Sequence, residues 1–404
     1  MWLAIVRVVG VALVVLLVSA TSVVGFAIWN VTSGLGPGIS LPNDTAGPIS
    51  NIGAIDGGVN LLLVGSDSGG GDPAYGQRSA TLNDVTILLH ISKDHSSATV
   101  VSFPRDMRVE IPWCAPSADG TTPGTKGGFT DLLNTSLSYG GLACTVAMVE
   151  QLTGLTIPFA AEIEFNGVVE MSNAVGGVPV CVTERIDDPY TGLILEPGMH
   201  NLQGAAALQF LRTRHGLVSG SDLARIGNQQ AFLASLVRTI KSEGTLNDPL
   251  KLYSLAKAAA DNMVLSSSLQ SPQTMVAIAA ALRDIDLSKV TFVQYPIAEA
   301  GAGIKPLTDD AAALFDALEN DQPITLSGTV GEANQVVPST RPSESASPEN
   351  TTAPWSTDAA TGAPTEAPTG APTLNPDSPV KLPPSISGQT AAEETCTVGQ
   401  SAGG

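Results

Sequence analysis

The chain has 404 residues, a formal net charge of −19, and only 19 Lys+Arg against 38 Asp+Glu. That balance, with no basic stripe interleaved with aromatics, excludes nucleic acid as a partner. Composition is also uneven along the chain, which predicts four parts bounded at 1–30, 31–58, 59–323 and 324–404.

The first part is an apolar leader in which Arg7 is the single charge. The uncharged run Val8–Trp29 is long enough to span a bilayer as a helix. Arg7 on its N-terminal side places that end in the cytoplasm and the remainder outside. Val18-Ser19-Ala20 resembles a signal-peptide cleavage site, but the apolar run continues through Phe26, Ile28 and Trp29, so a retained single-pass anchor is expected. Residues 31–58, rich in Gly, Pro, Ser and Asn, read as a flexible stalk.

Ordered patterning begins at Val59. Val59–Val64, Val85–Ile91 and Ala98–Phe103 read as strands, with Ser92–Ser97 as a hairpin turn. Cys144–Leu152 reads as a helix ended by Gly154, Ile157–Phe165 as a strand, and Asn166 as the cap of a helix through Val175. After Gly176-Gly177 come the strand Val178–Val182 and a helix over Gln203–Leu211. Ser221 or Asp222 caps a long helix to Ile240. Helices at 248–262 and 272–283, a strand Val290–Tyr295 and a helix at 309–319 follow. This mixture indicates an α/β domain whose helices cover a central sheet. Beyond Ile324 the Pro, Thr, Ser and Ala-rich sequence reads as a disordered tail.

Four cysteines, Cys114, Cys144, Cys181 and Cys396, lie in the exported part and are disulfide candidates. Cys114 with Cys144 is the first expected pair, because both flank one loop-rich insertion; Cys396 has no assigned purpose. No CxxC or His/Cys spacing suits zinc.

The chemistry concentrates in three places. Arg212-Thr213-Arg214-His215 is followed by Ser221-Asp222-Leu223-Ala224-Arg225, with Gln229 one helical turn on. Planar guanidinium groups match phosphate oxygens bidentately, so the cluster is a candidate phosphate clamp; the competing reading is a solvated helix end with ordinary ion pairs. Asp67 follows the first strand in a Gly-rich loop, and Asn83-Asp84 opens the second. A hard cation such as Mg²⁺ takes one or two carboxylates plus phosphate oxygens, which makes Asp67 and Asp84 candidate ligands. Arg105-Asp106 closes the third strand. The single Gly-x-Ser-x-Gly match, Gly399–Gly403, is read as chance because no strand precedes it and no helix follows. His215 reads as a surface group beside Arg214.

Taken in order, LLLVGSD, NDVTILLHIS, VVSFPRDMRVEIP, LNTSLSYGG, VEQLTG, FNGVVEMSNAVGGVPVCV, LQGAAALQFLRTRH and SDLARIGNQQAFLASLV resemble the extracytoplasmic LytR–CpsA–Psr family of cell-wall glycopolymer ligases. The resemblance runs from about Val59 to Pro323. It implies an αβα sandwich, a central mixed sheet with helices on both faces and an apolar tunnel for a lipid tail. It also implies a membrane-bound phosphotransferase that moves a glycopolymer from a polyprenyl-pyrophosphate carrier onto peptidoglycan, with Mg²⁺, or Mn²⁺ in its place. By the resemblance Asp67, Asp84 and Arg105 are catalytic, and Asp67 and Asp84 hold the metal. Arg105, Arg212, Arg214, Arg225 and Gln229 bind pyrophosphate. The acceptor's base is one of Asp67, Asp84 and Asp106. Three positions depart from the family pattern: Leu82 and Asn228 stand where arginines are often found, and Leu132 where a lysine is. Arg78 is a candidate to replace the first of these. The alternative functions are a polyprenyl-pyrophosphate pyrophosphatase, with water as acceptor, and a non-catalytic prenyl-pyrophosphate-binding module.

Overall fold

Alternation along the first apolar run determines the layering. In the strand Val59–Ser66, Leu62 and Val64 enter one core, whereas Val59, Leu61 and Leu63 pack into another. A strand covered on both faces reads as a continuous apolar run for this reason. The computed structural model describes residues 25–41, 58–68, 81–117, 120–242, 248–300, 303–327, 336–339 and 379–400, with four isolated positions before residue 25.

The principal strands are β1 (Val59–Ser66), β2 (Asn83–Ile91), β3 (Ala98–Phe103), β4 (Phe159–Ile163), β5 (Val178–Val182), β6 (Gly198–Leu202), β7 (Met263–Leu265), β8 (Val290–Gln294), β9 (Val336–Pro338), β10 (Gly388–Thr390) and β11 (Thr395–Thr397). The α-helices are α1 (Ser136–Thr153), α2 (Phe165–Val175), α3 (Gly204–Arg212), α4 (Asp222–Ser242), α5 (Pro249–Asn262), α6 (Pro272–Asp284) and α7 (Thr308–Glu319). A seven-stranded mixed sheet has the order β7-β4-β1-β2-β3-β8-β10. Its β1–β4 and β3–β8 pairs are parallel and the remainder antiparallel.

Val146 and Val149 of α1, with Leu314 and Phe315 of α7, join Leu62, Leu88 and Val101 in the core on one face. On the other face Ala234 of α4 and Ile278 of α6 join Ile87, Val100 and Phe159. The expected αβα sandwich is therefore the observed architecture. A second, four-stranded sheet, β6-β5-β11-β9, packs Val178, Val180 and Leu202 against Phe210 of α3 and Phe232 of α4. α4 thus lies between two cores, with Ala224 and Phe232 in one and Ala234 in the other.

The structure corrects three readings. The stalk is ordered where it is described: the N–H of Ile39 donates to the Leu265 carbonyl and Leu41 is buried in a core. The tail returns to the domain: β10 extends the main sheet, β11 joins the second one, and Leu382 and Ile386 are buried. The helix through Val175 begins at Phe165 with Glu164 as its N-cap, so Asn166 is not a cap. Cys114 pairs with Cys144 as expected, and Cys181 pairs with Cys396 across β5 and β11. Residues 340–378 of the expected tail and 42–57 of the expected stalk lie outside the described residues. So does most of Val8–Trp29; among the described residues no helix is long and apolar enough to cross a membrane.

Candidate functional site

The site begins with a register shift. β1 and β2 pair residue by residue to Gly65↔Val85, after which Ser66 pairs with Asn83, so Asp84 is extruded as a β-bulge. Bulges re-aim a side chain at the end of a strand, and here the redirected side chain is a carboxylate. A Cβ on Gly65 would lie 2.9 Å from that of Val85, so only glycine lets the strands close beside the bulge. Asp67 sits just beyond β1 and is 2 % exposed. Its Oδ1 accepts the Leu82 N–H at 2.8 Å, and its own N–H donates to the Leu82 carbonyl at 2.9 Å.

Arg105 follows β3 and donates from Nη1 to Asp84 Oδ1. Its Nε lies 3.2 Å from Asp222 Oδ1 and 3.5 Å from Asp106 Oδ1. Asp222, the first residue of α4, lies 2.6 Å from Arg225 Nη2, and that nitrogen also donates to the Asp84 carbonyl at 3.2 Å. Ser221 is the actual cap, accepting the Ala224 N–H at 3.1 Å, which frees Asp222 for the arginines.

Burial sets the electrostatics. It pushes the Arg225 guanidinium down against the pull of Asp222, and it pushes Asp222 up against Arg225 and Arg105. Burial also opposes the charge on Arg105, but Asp84 and Asp222 outweigh it and hold that guanidinium above its usual value. The field of Arg214 acts on both Asp222 and Arg225. The Nε–H groups of Arg105 and Arg225 and both oxygens of Asp222 are buried without a well-formed hydrogen bond, although Arg105 Nε and Arg225 Nη2 ion-pair with Asp222 Oδ1. An unmet buried donor costs about 1–3 kcal/mol, so an anion seated here recovers energy that the free protein forgoes.

Arg212 ends α3, with its guanidinium 4.2 Å above the Phe165 ring. The last carbonyls of α3 are met by α4 side chains: Asn228 Nδ2 donates to the Phe210 oxygen at 2.6 Å and Gln229 Nε2 to the Leu211 oxygen at 3.0 Å. The loop after Arg212 is gathered on one carboxylate. Asp188 Oδ2 accepts the Thr213 hydroxyl at 2.6 Å and the N–H groups of Arg214 and His215 at 3.0 and 3.1 Å. Its Oδ1 accepts the N–H of Tyr190 at 2.9 Å and of Thr191 at 3.4 Å. These hydrogen bonds hold the Asp188 carboxyl below its usual range although burial pushes the other way.

Behind the arginines lies an apolar cavity of about 220 Å³. Asp84, Glu164, Arg212, Arg225 and Gln229 supply its polar lining. Gly65, Ser66 and Ser172 also line it, and the rest of the wall is apolar, including Leu63, Phe165, Met171, Leu208, Phe232 and Leu236. Apolar faces of α2, α3, α4 and α5 therefore surround a space that Asp84, Arg212 and Arg225 border, with Glu164, which accepts from the Ser68 hydroxyl, as its other charged residue. Such a volume suits an amphiphile with an anionic head and a hydrocarbon tail.

Residues 43–320 match the model of the LytR_cpsA_psr family. The chain belongs to this family. It is 33% identical over 268 residues to the cell wall biosynthesis protein LcpA of Corynebacterium glutamicum, covering 60% of this chain and 51% of that protein. It is 25% identical over 244 residues to the polyisoprenyl-teichoic acid–peptidoglycan teichoic acid transferase TagT of Bacillus subtilis, covering 58% and 68%. The solved LytR-Csp2A-Psr enzyme from Actinomyces oris superposes with a TM-score of 0.54 at 20% identity, over 70% of this chain and 96% of that one, and so shares the fold. The chain spans about half the length of the first curated relatives it matches.

Of the residues that the LytR–CpsA–Psr resemblance selects, Asp84, Arg105, Arg214 and Arg225 form one electrostatic cluster, and Arg212 and Gln229 line the cavity. Asp67 does not line the cavity, although its neighbours Gly65 and Ser66 do. Asp106 stands at the cluster's exposed edge. His215 packs on Tyr190, with ring centroids 4.3 Å apart, as a surface group would. One departure from the family pattern acquires a reason here: Asn228, fully buried, meets a last carbonyl of α3 with its amide. Leu82 bonds Asp67 through its backbone N–H alone, so its side chain, like that of Leu132, has no structural explanation. Arg78 lies outside the described residues. Sequence reading missed Asp222 as a site residue, Asp188 altogether, and the tunnel walls. The signal for Asp222 was its spacing three residues before Arg225; Asp188-Pro189 marks only a local turn, in which Oδ1 accepts the Tyr190 and Thr191 N–H groups, and its hold on the arginine loop spans 25–27 residues, which no local pattern shows.

Proposed function

We propose that this protein is a phosphotransferase that moves a glycopolymer from a polyprenyl-pyrophosphate carrier to a hydroxyl of peptidoglycan. The observation that carries the reading is the juxtaposition of buried, under-coordinated guanidinium groups with an apolar cavity. The prenyl tail occupies the cavity, and Arg105, Arg212, Arg214 and Arg225 receive the pyrophosphate. The acceptor oxygen forms a bond to the glycopolymer-bearing phosphorus as that phosphorus parts from the bridging oxygen, and polyprenyl phosphate leaves. The acceptor's proton passes to a carboxylate, for which Asp84 is best placed by its bulge at the cavity mouth. Fixed guanidinium charges stabilise the charge that develops on the transferring group.

Among the described residues no group of three or more His, Cys, Asp or Glu is arranged to hold a metal ion, and the hard oxygen donors that remain are Asp67, just beyond β1, and Asp84, in the bulge of β2. That donor set fits Mg²⁺, which takes one or two carboxylates and completes its shell with phosphate oxygens and water. When bound, the ion supplies Lewis-acid charge at the phosphoryl oxygens. The uncharged run Val8–Trp29 supports a single membrane span with the domain outside, and exposed Phe26 and Trp29 suit its interfacial end.

The test is to incubate the protein with a labelled polyprenyl-pyrophosphate sugar, Mg²⁺ and peptidoglycan fragments. Label in the peptidoglycan supports the ligase, free sugar phosphate supports a pyrophosphatase, and tight binding without either supports a non-catalytic module. Arg212→Ala abolishes transfer with the fold intact. Arg225→Ala also abolishes it, but costs about 3–5 kcal/mol of stability by leaving Asp222 buried without its nearest partner.

A further inference from the structure

The family match ends at residue 320, yet residues beyond it reach back to the loop that carries Arg214. Leu217 and Gly399 form an antiparallel bridge; the Val218 N–H donates to the Val398 carbonyl at 3.3 Å and the Gln400 N–H to the Gly216 carbonyl at 2.9 Å. The approach is close enough that a Cβ on Gly399 would collide with the backbone oxygens of Glu184 and Arg185. Two residues before Gly399, at the end of β11, the buried Thr397 hydroxyl donates to Asn228 Oδ1 at 2.7 Å. The amide end of Asn228 donates to the Phe210 carbonyl, two residues before Arg212. The C-terminal strand therefore touches the arginine loop twice: through its own backbone at 216–218, and through one amide side chain at the end of α3. A side chain at 228 must accept and donate at once to serve both partners, which an amide does and a guanidinium cannot.

We infer that the segment Thr395–Gln400 is a positioning element of the anion clamp, with Thr397 and Asn228 as the positioning residues that fix where Arg212 and Arg214 stand. The inference rests on the reading of those arginines as the pyrophosphate clamp. Neither residue touches the ligand; each acts through the end of α3. A strand that served only to close the second sheet would affect melting temperature and leave affinity for the ligand's head group unchanged.

The experiment uses the full chain in detergent with farnesyl pyrophosphate as the probe. Dissociation constants by calorimetry and melting temperatures are compared for wild type, Thr397→Val and Thr397→Ser. Valine keeps the shape and removes the hydroxyl; serine keeps the hydroxyl. The expected result is affinity weakened roughly fivefold in Thr397→Val and restored to within about twofold in Thr397→Ser, with the melting temperature of Thr397→Val lowered by a few degrees because buried Asn228 Oδ1 loses its donor, and that of Thr397→Ser close to wild type. Hydrogen exchange on wild type supplies a readout that needs no variant: linkage requires that farnesyl pyrophosphate slow exchange in residues 395–400. Affinity in Thr397→Val within twofold of wild type, or no slowing in 395–400, overturns the inference alone. Wild type that does not bind farnesyl pyrophosphate overturns the clamp reading, and the inference with it.

Discussion

Replacing Asp188 by Asn tests the idea that one carboxylate organises the arginine loop. The side chain is 1 % exposed and accepts five hydrogen bonds, three on Oδ2 and two on Oδ1. Asparagine keeps a single acceptor oxygen. Turned toward Thr213, Arg214 and His215, it confronts the Tyr190 and Thr191 N–H groups with an amino group. Turned the other way, it strands three donors. A hydrogen bond to a charged acceptor contributes about 1.5–3 kcal/mol. Losing the strong Tyr190 bond and the weaker Thr191 bond, and reducing three others to neutral strength, adds up to about 4 kcal/mol. For a domain of this size that corresponds to a melting temperature about 10 °C lower, measured by calorimetry at pH 7. Acid supplies an internal control. Because the folded carboxyl titrates below its ordinary 3.8, its contribution is complete above that value and is lost as pH falls through the folded value. The gap between wild type and Asp188→Asn therefore narrows below pH 3.8. A variant within about 1 kcal/mol of wild type at pH 7 would falsify the account, because no arrangement of one oxygen satisfies both donor sets.

Three further outcomes follow from the structure. Cys181–Cys396 closes a span of 215 residues, for which chain entropy gives about 5 kcal/mol, so Cys181→Ala with Cys396→Ala lowers the denaturation midpoint more than the Cys114–Cys144 pair variant, whose span is 30. Burial lowers His90 to about 4, so wild type loses about 3 kcal/mol as pH falls from 6.5 toward 4, and urea titrations of His90→Gln lack that slope. Leu236→Trp fills the cavity and weakens farnesyl pyrophosphate binding at least tenfold, with inorganic pyrophosphate binding unchanged; equal loss for both ligands would sink the division into tail cavity and head-group clamp.

Much of the fold was legible because the relevant signals are local. The run Val59–Val64 is buried on both faces and appears as uninterrupted apolar sequence, and Gly154 ends α1 in a left-handed conformation as its position suggests. The start of α1 was missed by eight residues because Gly140 and Gly141 interrupt its helical backbone. The tail was misread because the apolar residues that return it to the domain, Leu382, Ile386 and Ala391, are separated by polar ones and satisfy distant partners. In the site, arginines on α3 and α4 announced themselves by rarity and spacing. The tunnel did not, since a cavity wall and a packed core use the same side chains at the same helical period.

The two ends of the stretch 340–378 are both fastened to the domain. Ser339 donates its N–H to the Glu394 carbonyl, and the Val380 N–H donates to the Pro323 carbonyl. The residues on either side of that stretch are thus bonded to the domain, and further on the Cys181–Cys396 bond ties the C-terminal residues to it covalently. A protease that cuts anywhere within 340–378 leaves one covalent molecule, a single band on a non-reducing gel that separates into two only when thiol is added. Such a cut would remove no part of the arginine cluster, and the C-terminal piece would remain attached to the domain.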